Sequence, residues 1–224
     1  MYLTERLAAS LGKKARIVLK ADKEKEEIIV YGAINLLQTI FSIFWVIAIG
    51  VILGVLYEVL IFSVSMSILR KYSGGFHASS PNLCIIGGTI SAAAAGLLVD
   101  RFFYSFSFSA TAVMGMLCMA IAFVIVFLKA PVDSPQKPIV SKKMKKMFKK
   151  DSIITLTIFS IMIITLCLLY NINNKLYYLK IIDCISLGCL WQSITLTDRG
   201  AVTLKKVDLM LKNIGKKGGN SIEG

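Results

Sequence analysis

One stretch of the chain gathers side chains of catalytic type: Arg70-Lys71-Tyr72-Ser73-Gly74-Gly75-Phe76-His77-Ala78-Ser79-Ser80-Pro81-Asn82-Leu83-Cys84. His77 is the only histidine in the protein. A thiol beside an imidazole is the nucleophile and base of a cysteine peptidase. On one straight helix a spacing of seven residues would put His77 and Cys84 on the same face but about 10 Å apart along the axis, beyond hydrogen-bond reach. The pattern therefore predicts a break between them. Ser80 and Pro81 suit the N-cap and the first position of a helix, which places Cys84 in its first turn and leaves His77 on a loop able to fold back over it. A helix N-terminus and a nearby imidazolium both favour thiolate over thiol. Gly74 and Gly75 let backbone approach a substrate carbonyl and can present N–H groups to an oxyanion. Arg70 can clamp a carboxylate or hold the loop.

Each residue also has a plainer reading. A lone cysteine in an apolar chain often only packs, a lone histidine at an interface is often structural, Gly-Gly can be a turn, and Arg70 can anchor the chain at a membrane surface. No motif of soluble cysteine proteases is present. Cys118, Cys167, Cys184 and Cys189 form no CxxC pair and sit in apolar runs, so they are expected to pack as small hydrophobes. Neither a disulfide framework nor a metal site is expected with one histidine and scattered cysteines, and no cofactor is called for. Glu58, a carboxylate inside an apolar run, and Asp133 are candidates for a third catalytic member; a Cys-His dyad is the simplest assumption.

The elements that must position these residues are transmembrane. Hydrophobic residues make up 56% of the chain, charged ones 17%, and the mean hydropathy is +0.71. Soluble proteins average about half and about a quarter. At about 20 residues per span, the 224 residues accommodate six spans and no separate soluble domain. The run 28–69 is long enough for two spans, divided near Gly50 into 29–49 and 52–70. Further runs lie at 83–99, 107–128, 152–170 and 176–197. The expected fold is an all-α polytopic bundle of about six spans, or four spans with re-entrant segments at 29–70 or 83–110. Residues 1–27 read as an amphipathic helix on the inner leaflet or packed in the cytoplasm, 28–198 as the transmembrane domain, and 199–224 as a basic cytoplasmic tail.

Charge sets the expected orientation. The net charge is +13, and 21 of the 26 Lys and Arg fall in 1–27, 129–151 and 199–224. In a membrane protein such blocks mark the cytoplasmic side rather than a nucleic-acid surface, and they attract anionic lipid. Both termini and the loops 70–83 and 129–151 then face the cytoplasm. Residues 130–138 hold three of the four prolines, which impose extended or turn backbone. Beyond them Lys142, Lys143, Lys145, Lys146, Lys149 and Lys150 alternate with Met144, Met147 and Phe148, predicting a short basic amphipathic helix beside the membrane.

Arg70, Gly74-Gly75, His77 and Cys84 in this spacing, followed by Ala130-Pro131-Val132-Asp133-Ser134-Pro135-Gln136-Lys137-Pro138, resemble the AgrB family of accessory gene regulator proteins over nearly the whole chain. The resemblance implies a cell-membrane endopeptidase of Gram-positive bacteria that matures a quorum-sensing propeptide of AgrD type. It implies catalytic roles for His77 and Cys84 and supporting roles for Arg70 and Gly75, and it is compatible with a homodimer. Cys84 would attack a carbonyl near the propeptide C-terminus, and an internal Cys or Ser of the peptide would close a thiolactone or lactone. The acidic tail usual in such substrates would suit Lys142, Lys143, Lys145 and Lys146, and residues 205–217. Two other readings remain open from the residues: a transporter or exporter using Glu58, Asp100, Arg101 and Asp183, against which no internal repeat is seen, and a non-catalytic membrane scaffold.

Overall fold

The computed structural model describes residues 22–75, 80–133 and 141–220, together with Ser10 and Lys14. Most of the expected interfacial helix within 1–27 lies outside the described residues, and Lys23–Glu27 form the first turn of the first long helix. The described chain is helical and no strand is present among these residues. The elements run α1 (Lys23–Leu53), α2 (Leu56–Ser73), α3 (Pro81–Arg101), a 3-10 turn (Phe103–Ser105), α4 (Phe108–Lys129), α5 (Lys142–Asn173), α6 (Tyr177–Thr195) and α7 (Asp198–Asn220).

Caps explain most boundaries. Asp22 opens α1 by accepting from the Lys25 N–H at 2.9 Å, and Ser107 and Ser141 open α4 and α5 in the same way. The break between the first two helices falls at Gly54, not near Gly50. Gly54 takes the left-handed conformation (φ 72°) that ends helices. Gly50 stays helical and packs so closely that a Cβ there would stand 3.0 Å from the Leu56 Cα. The basic segment 142–150 is not a separate surface helix. With no Gly or Pro between Lys142 and Asn173, it continues into the apolar span as one helix of 32 residues.

Four helical stretches are long and apolar enough to cross a membrane: α1, Asn82–Ser105, α4 and α5. The chain is thus a multi-pass membrane protein. The other two expected spans, α2 and α6, are shorter and carry more polar residues, and they occupy the middle of the bundle, packed on each other. Both core clusters draw on them. One joins Leu69 of α2 and Ile182 and Ile185 of α6 to Ala122, Val126 and Leu156. The other joins Val59 and Phe62 of α2 and Cys184 of α6 to Val46, Ala92 and Val99. Small residues permit close approach: a Cβ on Gly188 of α6 would stand 2.9 Å from the Phe62 carbonyl oxygen. The strongly apolar helices turn residues such as Phe44, Ile52, Leu117, Phe127 and Ile158 outward, as a lipid-facing surface requires.

The two ends of the bundle differ. At one end the finish of α2, α4 and α6 meets the start of α3, α5 and α7. At the other, Lys180 Nζ donates to Glu58 Oε1 at 3.0 Å and to Asp100 Oδ1 at 2.6 Å, tying α6 to α2 and α3.

Candidate active site

Ser80, extended at φ −145° and ψ 155°, accepts from the Leu83 N–H at 3.4 Å, and Pro81 takes the first helical position of α3. The break expected between His77 and Cys84 is present, and Cys84 stands in the first turn of α3, its N–H donating to the Ser80 carbonyl at 3.2 Å. His77 lies outside the described residues. The thiol is half-buried and faces a cavity of about 400 Å3 between α1, α2, α3, α6 and α7. Arg70, three residues before the end of α2, lines the same cavity.

Gly74 and Gly75 serve the frame. Gly74 has φ 70° and caps α2, its N–H donating to the Arg70 carbonyl at 3.0 Å. That N–H is therefore already engaged and is not available to an oxyanion. On its other side Gly74 pairs with Val132, whose N–H donates to the Ser73 carbonyl at 2.9 Å. A methyl group on Gly74 would overlap the Val132 carbonyl oxygen. The two sequence motifs, far apart along the chain, thus meet here, which brings Asp133 to the end of α2. Gly75, at φ 123°, lies against Gln192 and Thr195 of α6.

Gln192 is a residue the sequence reading missed. Fully buried, its Nε2 donates to Ser73 Oγ at 3.1 Å and to the Gly74 carbonyl at 2.8 Å, so α6 holds the turn that ends α2. Its Oε1 has no hydrogen-bond partner among the described residues. Gly87 and Gly88 are a second omission: they follow Cys84 by one turn and leave open space on the cavity side of α3.

Other candidates lie elsewhere. Glu58 is twelve residues before Arg70, about 18 Å along α2, and is held by Lys180. Asp100 is held by Lys180 and by Arg101, whose Nε is 3.4 Å away. Three of the four charges available to a transport pathway are therefore engaged in ion pairs. Asp183 is buried on α6, with Oδ1 unpartnered among the described residues. Lys142, Lys143, Lys145 and Lys146 are exposed on the first turns of α5, at the Cys84 end of the bundle, and add nothing to the cavity lining. Cys118, Cys184 and Cys189 are buried packing residues and Cys167 is half-buried, all with free thiols.

Comparison with known proteins finds relatives along most of the chain. Two proteins of Clostridium perfringens whose names describe them as AgrB-like align over 208 residues. The one from strain SM101 (Type A) is 40% identical and the one from strain 13 (Type A) is 37% identical, each alignment covering 92% of this chain and 97% of the relative. No solved structure matches. The family model described as accessory gene regulator B matches residues 4–196, through the cysteine helix and both motifs, and the chain belongs to that family.

Proposed function

We propose that the protein is a membrane-embedded cysteine endopeptidase of a quorum-sensing system, which removes the C-terminal tail of an AgrD-type propeptide and allows the remaining peptide to cyclise. The observation that carries this reading is Cys84, half-buried at the start of α3 and opening on a cavity that Arg70 shares. His77, seven residues earlier, removes the thiol proton. The thiolate adds to a peptide carbonyl, and collapse of the tetrahedral intermediate expels the tail as an amine that takes up the proton. The product is a thioester between Cys84 and the shortened peptide. An internal Cys of that peptide then displaces Cys84 and closes a thiolactone; a Ser would close a lactone.

The same reading gives an orientation. The Cys84 end of the bundle carries Lys129, the lysines of α5 and the basic residues of α7, so by the excess of positive charge it faces the cytoplasm, where a newly made propeptide is found. The exposed lysines of α5 attract its acidic tail.

In protein reconstituted in lipid and mixed with such a propeptide, mass spectrometry should find the released tail and a peptide adduct on Cys84. Cys84→Ala should abolish both, and continued cleavage by that variant would end the proposal. His77→Ala should prevent the adduct. Cys118→Ala and Cys167→Ala should retain cleavage.

A further inference from the structure

α7 leaves α6 at an angle of 88° and runs across the Cys84 end of the bundle. Three contacts hold it there. The Gly200 N–H donates to Thr197 Oγ1 at 3.0 Å, Gly200 lies so close to the Ile194 carbonyl that a methyl group would overlap it, and Lys129 Nζ stands 2.7 Å from Asp198 Oδ2. Leu204, Val207 and Asp208, spaced as one helical face, line the cavity into which Cys84 opens. Asp208 is only 7% exposed. Leu204 is half-buried and Val207 is 44% exposed, and on the opposite side of α7 Val202, Leu209 and Met210 are exposed beside Lys205 and Lys206, as on a helix resting at a membrane surface. The family match ends at residue 196, before α7 begins.

We infer that α7 is a wall of the substrate cavity, binding apolar residues of the peptide next to the scissile bond and keeping water from the acyl-enzyme. The inference rests on the peptidase reading for its substrate, though not for the wall itself. On α3, Gly87 and Gly88 leave space that no other side chain among the described residues fills, and Val46, Met66 and Trp191 add apolar surface to a lining that also holds Arg70, Asp208 and several Ser and Thr hydroxyls. The Cys84 thioester has two fates. If the peptide's own thiol adds to the carbonyl, Cys84 leaves as a thiol and a thiolactone forms. If water adds, Cys84 leaves in the same way and a linear acid forms. One thioester replaces another with little change in free energy, whereas hydrolysis is downhill, so cyclisation prevails only where the site excludes water during the lifetime of the intermediate. Leu204 and Val207 are placed to do this.

The test uses the full chain in lipid vesicles. The variants are Leu204→Ala/Val207→Ala, Val207→Trp, and Val202→Ala/Leu209→Ala on the outer face. The first measurement needs no substrate: the rate at which a charged maleimide alkylates Cys84, located by mass spectrometry. The double variant in the wall should react about fivefold faster or more, Val207→Trp should react more slowly, and the outer-face variant should match the unaltered protein. The second is the ratio of linear to cyclic product from the propeptide, which should rise in the wall variant by about fivefold or more while tail release continues. Equal alkylation rates in all variants would remove α7 from the cavity wall, whether or not the protein cleaves anything. An altered alkylation rate with an unchanged product ratio would overturn the water-excluding role.

Discussion

Cys84 owes its place to two neighbours. Ser80 caps α3 and Pro81 fits its first turn, so the place of Cys84 at a helix start was legible from residue types alone. Gln192 was not, because a single amide in an apolar run shows nothing of its partners, which lie 118 and 119 residues away. The role of Gly74 was half legible: two adjacent glycines announce unusual backbone, but the pairing with Val132 depends on how α2 and α4 end beside each other. Gln192→Leu should leave the half-buried Gly74 carbonyl without its Gln192 donor and lower stability by about 1–3 kcal/mol, measured as the midpoint of unfolding in detergent. Gly74→Ala combines a disfavoured φ with a steric overlap and should cost at least about 2 kcal/mol in the same measurement. It should also slow the Cys84 adduct, because the turn leading to His77 must move.

At the scale of elements, the apolar runs located every helix from α1 to α6, while several boundaries and partners escaped. Hydropathy does not tell whether Gly50 breaks a helix or packs within it. Nor does it separate a lysine-rich surface helix from the first turns of a long one, since the deciding fact is the lack of any breaker between Lys142 and Asn173. The ion pairs of Lys180 were invisible because Glu58 and Asp100 are distant in sequence. Lys180→Met should leave Glu58 without its cation and Asp100 with only the exposed Arg101, both carboxylates partly buried, and lower thermal stability by about 2–4 kcal/mol. The contact between Lys129 and Asp198 acts with a definite sign. The hydrogen bond from Lys129, together with its charge, holds the Asp198 carboxyl below its ordinary value of 3.8. A lowered value in the folded state means that the contact contributes above the unfolded value and is lost as pH falls through the folded one. Hydrogen exchange at the start of α7, corrected for its intrinsic rate, should then be flat between about pH 5 and 8 and rise in stronger acid. Lys129→Gln should raise it at every pH in that range.

Considered whole, the molecule places its most apolar helices outside and its two more polar ones in the centre, with positive charge gathered at the Cys84 end. Changing Lys142, Lys143, Lys145 and Lys146 to Ala should raise KM for a propeptide with an acidic tail at low salt. The effect should fade as ionic strength grows and screening shortens the reach of those charges; an unchanged KM at low salt would remove them from substrate capture. The ion pairs at the opposite end bear on how the protein is made. Glu58 and Asp100 leave the ribosome well before Lys180, and until α6 arrives Glu58 lacks the Lys180 ammonium and Asp100 has only Arg101 beside it. α2 in particular, short and carrying Glu58, has little reason to settle in lipid alone. Assembly should on this account end with a locking step, in which α6 packs against α2 and α3 and supplies the cation that bridges Glu58 and Asp100. A nascent chain stopped before Tyr177 should remain open to protease at Glu58, and one extended past Thr195 should become resistant there.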